Sequence, residues 1–339
     1  MSEERKEASA AAEQSLYRAI CGALQNDGIL PPDFSLPRPS HQNAEGLRFA
    51  DGAFDGISLY HMAPDRRDIK SLTEITGLIS AGSYDQAAEC LRLFFSSDEY
   101  ICMLPMIDDY QKWLYENRAQ IDPDRMLEFA SQILMESPDA ESIKFVLSYL
   151  ELLKTDRTPA LRNLIRVLAL SDEFTLFCLF VIARWPDGND VIFDIARHVS
   201  GWGRIHAVER LAPENAEIRR WLLTEGWQNT VMSAYSALTC VEKSGLVEKI
   251  QSGDLSEDEF TAAGCLISAL LGEAPVAGID GLGDQAAPFL AAYLSLAEQR
   301  AAAPSDYEAA AALRSYYAVQ ETPPADLIAR AEAILARRG

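Results

Sequence analysis

The sequence predicts an all-α protein: an α-solenoid of short antiparallel helix pairs, preceded by an irregular N-terminal arm. Three observations carry that expectation. From Ile69 onward no alternating strand pattern survives, apolar stripes recur at i, i+3, i+4, i+7, and helix-start signals fall between them. Ile143, Val146, Leu147 and Leu150 make one stripe, and Leu161, Leu164, Ile165 and Leu168 a second. Ile192, Ile195, Ala196 and Val199 make a third, and Val231, Ala234, Tyr235 and Leu238 a fourth. Asp122-Pro123, Thr158-Pro159 and Thr322-Pro323 set a capping side chain before a proline at the first helical position, where the missing N–H has no partner to lose. Ser256-x-x-Glu259 and Ser305-x-x-Glu308 read as capping boxes. Residues 174–183 are apolar on every face, so that helix belongs in the middle of a stack. Helices whose apolar faces only their neighbours can cover, sustained over about 270 residues, imply a solenoid.

The start of the chain has a different character. Residues 4–25 read as a helix with Leu16, Ala19, Ile20 and Ala23 on one stripe. Residues 26–68 then carry Pro31, Pro32, Pro37, Pro39 and Pro64 with Gly28, Gly46, Gly52 and Gly56. Two short apolar runs, 47–50 and 57–62, flank Asp51-Gly52 and Asp55-Gly56, which predicts a small β-hairpin. The expected division is an N-terminal helix and capping arm over 1–68, then a helical-repeat domain over 69–339. A terminal repeat leaves one apolar face uncovered, and the arm's Ile29, Leu36, Phe49, Phe54 and Ile57 are expected to cover the helix that begins near Ile69.

Charge and cysteine usage bound the function. The formal charge is −21, from 30 basic and 51 acidic residues, so a phosphate backbone is a poor partner and nucleic acid is not expected. Residues 161–230 depart from this balance with 8 basic residues, all arginine, against 9 acidic ones. Charge-free stretches such as 260–272 and 285–297, 13 residues each, and 226–241, 16 residues, fall short of the roughly 20 a membrane helix needs. The six cysteines form no C-x-x-C pair and several lie in apolar runs, the pattern of reduced thiols. With no apolar segment at Met1-Ser-Glu-Glu-Arg-Lys-Glu, the chain is expected to be cytoplasmic.

Two resemblances follow from particular residues. Arg204-Ile-His206-Ala207-Val208-Glu209-Arg210-Leu211, with Ile218-Arg219 and Leu222-Leu223 after it, resembles the second helix of HEAT and armadillo-type repeats. That resemblance implies an interaction scaffold more than an enzyme. Two further blocks, Phe49-Ala50-Asp51-Gly52…Asp55-Gly56…Tyr60-His61-Met62 and Asp172-Glu173-Phe174…Trp185-Pro186…Gly201-Trp202-Gly203-Arg204, resemble a bacterial family of uncharacterised proteins. Some of its members carry a limonene hydroxylase label. A haem-thiolate hydroxylase needs a cysteine in a Phe-x-x-Gly-x-x-x-Cys loop, and Phe260…Gly264-Cys265 is misspaced for that, so the label is rejected.

The partner surface is expected at Arg184, Trp185, Asn189, His198, Trp202, Arg204, His206, Glu209, Arg210 and Trp227, because tryptophan and arginine dominate binding hot spots. A protein or peptide segment is the expected ligand. The rival reading is an enzyme on the same scaffold. Asp194 and His198 at i, i+4, with His206 and Glu209 at i, i+3 on the next helix, are the candidate metal ligands. A DNA glycosylase-like base remover would instead need a basic face built from the arginines of 161–230. No nucleophile elbow, phosphate loop or cysteine spacing of a zinc site is present, so no catalytic residue and no cofactor is expected.

Overall fold

A computed structural model describes residues 14–37, 48–62, 68–96, 101–272 and 276–337. Among these residues there are eighteen α-helices and no sheet, so the all-α expectation holds. The helices fall into two compact units, Met1–Arg210 and Leu211–Gly339.

In the first unit, α1 (Leu16–Ala23) and α2 (Ala53–His61) come from the N-terminal region. They are followed by α3 (Lys70–Ala81), α4 (Tyr84–Phe95), α5 (Ile107–Asn117) and α6 (Pro123–Glu136). Then come α7 (Ala140–Leu150), α8 (Pro159–Leu168), α9 (Asp172–Ile182), α10 (Gly188–His198) and α11 (Trp202–Arg210). Asp122 starts α6 as its sequence suggests: its carboxylate accepts from the N–H groups of Asp124 and Arg125, with Pro123 at the first helical position. The all-apolar segment becomes α9, which packs against α7, α8, α10 and α11. Phe174, Phe177, Leu179, Val181 and Ile182 of α9 are fully buried, each contributing about 1.5–3 kcal/mol of gross transfer energy. Packing of each helix on its next-but-one neighbour joins α7, α9 and α11 into one row.

The second unit holds α12 (Ala216–Trp221), α13 (Ala234–Ser244), α14 (Leu246–Ser252), α15 (Glu257–Leu271), α16 (Ala286–Arg300), α17 (Pro304–Ala318) and α18 (Ala325–Leu335). Here α13, α15 and α17 form one row and α14, α16 and α18 another. The capping box at α15 forms as read, with Ser256 and Glu259 each satisfying the other's backbone N–H.

Four expectations are corrected. The hairpin is replaced by a helix: the second run, 57–62, lies in and just past α2, and of the first run Leu47 is outside the described residues. Gly52 at φ 73 ends the preceding turn in a left-handed conformation, so the chain enters a helix where a hairpin was expected. At α17 the box moves by two residues, with the Asp306 carboxylate accepting from the N–H groups of Ala302 and Ala303. Val231 lies outside α13 and is exposed, because that helix begins at Ala234. The last helix starts at Ala325, past Pro324, and so two residues later than Thr322-Pro323 suggests. No described helix is long and apolar enough to cross a membrane.

Candidate functional site

The two sequence blocks, more than a hundred residues apart, meet on α7, α9 and α11. Each contributes backbone as much as side chains. The Gly52 N–H donates to Glu173 Oε2 at 2.7 Å, and the Leu36 N–H donates to Asp51 Oδ2 at 3.0 Å. A Cβ at Gly52 would collide with the Asp172 carbonyl, and one at Gly56 with the Trp202 indole ring. On the other side of the seam, the Gly203 N–H donates to Asp172 Oδ1 at 2.9 Å, and a Cβ at Gly201 would run into the same carboxylate. Glycine is required where two backbones and an indole approach this closely.

Beneath this contact lies a buried ion cluster. The Lys144 ammonium, on α7, has no solvent exposure and sits 2.5 Å from Asp55 Oδ2, 2.8 Å from Glu141 Oε1 and 2.5 Å from Glu173 Oε1. Burial works against its charge, but Asp55, Glu141 and Glu173 together raise its pKa well above the ordinary lysine range. Glu141 is also held by the Met103 N–H at 2.6 Å. The carboxylates are in excess, and burial shows in their titration. Asp51 is pushed up to about 7 by burial and by the charge of Glu173. Burial pushes Asp55 up to about 6 against the pull of Lys144, and Asp172 up to about 6 against the amides of Gly203 and Gly201. Asp55, Glu141 and Glu173 bring oxygens within 4.8 Å of one another, the spacing of a metal site. The ammonium of Lys144 contacts all three, so the cluster already has its cation.

An aromatic stack covers one side. Tyr60 on α2 lies 5.9 Å from the Trp202 ring and 6.3 Å from that of His206, and Trp202 and His206 are 6.1 Å apart. His206 is buried, and neither ring nitrogen meets a hydrogen-bond partner among the described residues. Burial, with the nearby charge of Arg210, drops its pKa to about 3 and keeps the ring neutral.

The expected partner residues are thereby divided. Trp202 and His206 belong to this sealed seam. Arg204 closes the end of α10, its Nε donating to the Val199 carbonyl at 2.7 Å. His198 Nδ1 donates to the Asp194 carbonyl at 2.6 Å, and the Arg210 guanidinium lies 4.2 Å over the Phe180 ring. Asn189 is half-buried and Glu209 exposed. Trp227 is in the second unit, after a π-helical turn over Leu222–Gly226, and its indole N–H donates to the Leu223 carbonyl at 3.1 Å. The four proposed metal ligands do not converge: His198 faces its own helix beside Asp194, while His206 is enclosed by Tyr60 and Trp202.

Arg184 and Trp185 instead lie at a cleft. Two adjoining recesses of about 320 and 560 Å³ share Asp156. Their walls carry Lys154, Arg162, Arg166 and Arg184 against Glu151, Asp156 and Asp187, four basic residues to three acidic in a chain of −21. Trp185 is buried, donates from Nε1 to Thr155 Oγ1 at 2.8 Å, and carries the Arg162 guanidinium 4.2 Å over its ring. Acids at the rim hold the arginines in place: Arg162 on Asp187 at 2.7 Å, Arg166 on Asp194 at 3.1 Å and Arg184 on Glu151 at 3.0 Å. Comparison of the chain with protein-family models, curated proteins and solved structures gives no match.

Sequence reasoning missed the ion cluster. Its signal was nevertheless present: Lys144 interrupts the apolar run Ile143-Lys144-Phe145-Val146, and Asp172-Glu173 head a helix with no other polar face.

Proposed function

We propose that the chain is an interaction scaffold of the helical-repeat type, stacked as a solenoid within each unit, and that its cleft at Arg162, Arg166, Arg184 and Trp185 binds a protein segment bearing carboxylates. The rows of next-but-one helix contacts support the repeat reading. The observation that carries the binding reading is the cleft itself. Its guanidinium groups are pre-oriented by rim carboxylates yet stay partly open to solvent, 62% for Arg184 and 46% for Arg166. A ligand carboxylate can replace a rim acid without the guanidinium having to be reorganised, and bidentate geometry rewards such an exchange. The indole of Trp185 supplies an apolar floor under Arg162, the combination found in binding hot spots. The net charge of the chain is screened beyond about 8 Å at physiological salt, so the local balance decides the encounter.

Fluorescence anisotropy with labelled acidic, neutral and basic peptides of equal length tests this at 0.15 M salt. The wild type is expected to select the acidic peptide, and Arg162→Glu with Arg184→Glu to weaken that binding at least tenfold at an unchanged melting temperature. Equal binding of all three peptides, or an indifferent double variant, would overturn it.

A further inference from the structure

The seam buries more acid than its one ammonium can balance. Around Asp55 are Lys144 and Glu141 from α7 and Glu173 from α9, and Asp51 adds a carboxylate that feels Glu173, Asp172 and Lys144. Asp172 in turn feels Glu173 and Arg204 and accepts from Gly203. Asp55, Glu141 and Glu173 are buried with Lys144, and Asp51 and Asp172 are partly buried at the edge. Five carboxylates therefore face one buried ammonium among the described residues, Asp139 before α7 also feels Lys144 and Glu141, and Arg204 acts on Asp172. Two of the five, Asp51 and Asp55, arrive on the arm. Around α2, Gly52, Asp55 and Gly56 are buried, whereas Leu59 is 48% exposed.

We propose that residues 51–61 form a proton-dependent latch, seated on α7, α9 and α11 while Asp51, Asp55 and Asp172 hold protons and released as those protons are lost. Burying unneutralised carboxylates is costly, so at Asp51, Asp55 and Asp172 the docked arm binds more protons than the released arm, while His206, kept neutral beneath Tyr60, opposes this only below its ordinary value of about 6.5. Docking then weakens as pH rises from about 4 to about 7, where the acids that burial has raised lose their protons. Lys144, charged throughout this range, contributes no pH dependence of its own there. Release removes Tyr60 from Trp202 and His206 and uncovers a second face.

Hydrogen exchange of α2 amides, corrected for intrinsic exchange and referenced to α6 in the same unit, tests the latch on the full chain. Protection of 53–61 is expected to fall by on the order of tenfold or more between pH 5.5 and pH 8, with α6 changing far less. Asp51→Asn and Asp172→Asn each keep an acceptor oxygen but cannot ionise. At least one is expected to raise α2 protection at pH 8 above that of the wild type, a direction that mere structural damage would not produce. A pH-independent wild type, α2 and α6 moving in step, or lowered protection in both variants would each overturn the latch.

Discussion

Two groups of charged side chains in the first unit are built from the same materials and meet opposite fates. In the seam, Lys144 is fully buried and shared by three carboxylates on two helices and the arm. In the cleft, Arg184 has 62% of its side chain in solvent and a single partner, Glu151. The difference teaches where electrostatics counts. A low local dielectric strengthens each contact in the seam and makes any lost partner expensive, whereas water screens the cleft pairs to near zero net worth. The seam is therefore organised for structure and for proton control. Its counterpart keeps its charges open to solvent.

The contrast breaks most visibly at Lys144. Lys144→Met is expected to cost about 3–5 kcal/mol, because it leaves three buried carboxylates without a cation. In a unit of this size that is a fall of on the order of 10 °C in the melting temperature, measurable by circular dichroism. A loss below 1 kcal/mol would show that the cluster is solvated in practice.

A smaller effect is expected at Gly56→Ala, where the added methyl meets the Trp202 ring. Overpacking of this kind costs about 1–3 kcal/mol, readable as a shift of the urea midpoint. The indole emission should report the same displacement.

Solution pH sharpens the comparison without mutation. Asp51, Asp55 and Asp172 hold more protons folded than unfolded between about pH 4 and pH 7. The stability they contribute is thus greatest below that window and lost as pH rises through it. The first unit should melt higher at pH 6 than at pH 8, and Asp51→Asn should narrow the gap. The cleft predicts the opposite insensitivity: Arg184→Ala should change stability by less than about 0.5 kcal/mol at either pH, while weakening acidic-peptide binding.

How much of this was legible in residues alone varies with the range of the interaction. The helices with a local start signal, such as α6, α8 and α15, lie close to where the sequence puts them: side-chain caps close α6 and α15, and Pro159 takes the first position of α8. Around Asp51-Gly52 and Asp55-Gly56 the same reasoning expected a hairpin, and the chain forms a helix. Local turn chemistry allows both outcomes there. What decides is the distant surface of Asp172, Glu173 and Trp202, which accepts one glycine amide and leaves no room for a side chain at either glycine. The arm's described contacts depend on distant residues for the same reason. It meets α7, α9 and α11 through glycines, carboxylates and the Tyr60 ring.

The sequence by itself determined the fold class, the central burial of residues 174–183 and the arginine-rich balance of 161–230, since periodicity, apolar content and charge are properties of the chain before it folds. Only the tertiary structure decided which arginines and tryptophans face solvent. It sent Trp202 and His206 into a sealed stack and left Arg184 at the mouth of a cleft, although all three lie in one stretch. It also gathered Asp55, Glu141 and Glu173 around the single ammonium of Lys144. The reason is physical: a charge or an indole has no fixed worth until its surroundings set its dielectric, its partners and its access to water.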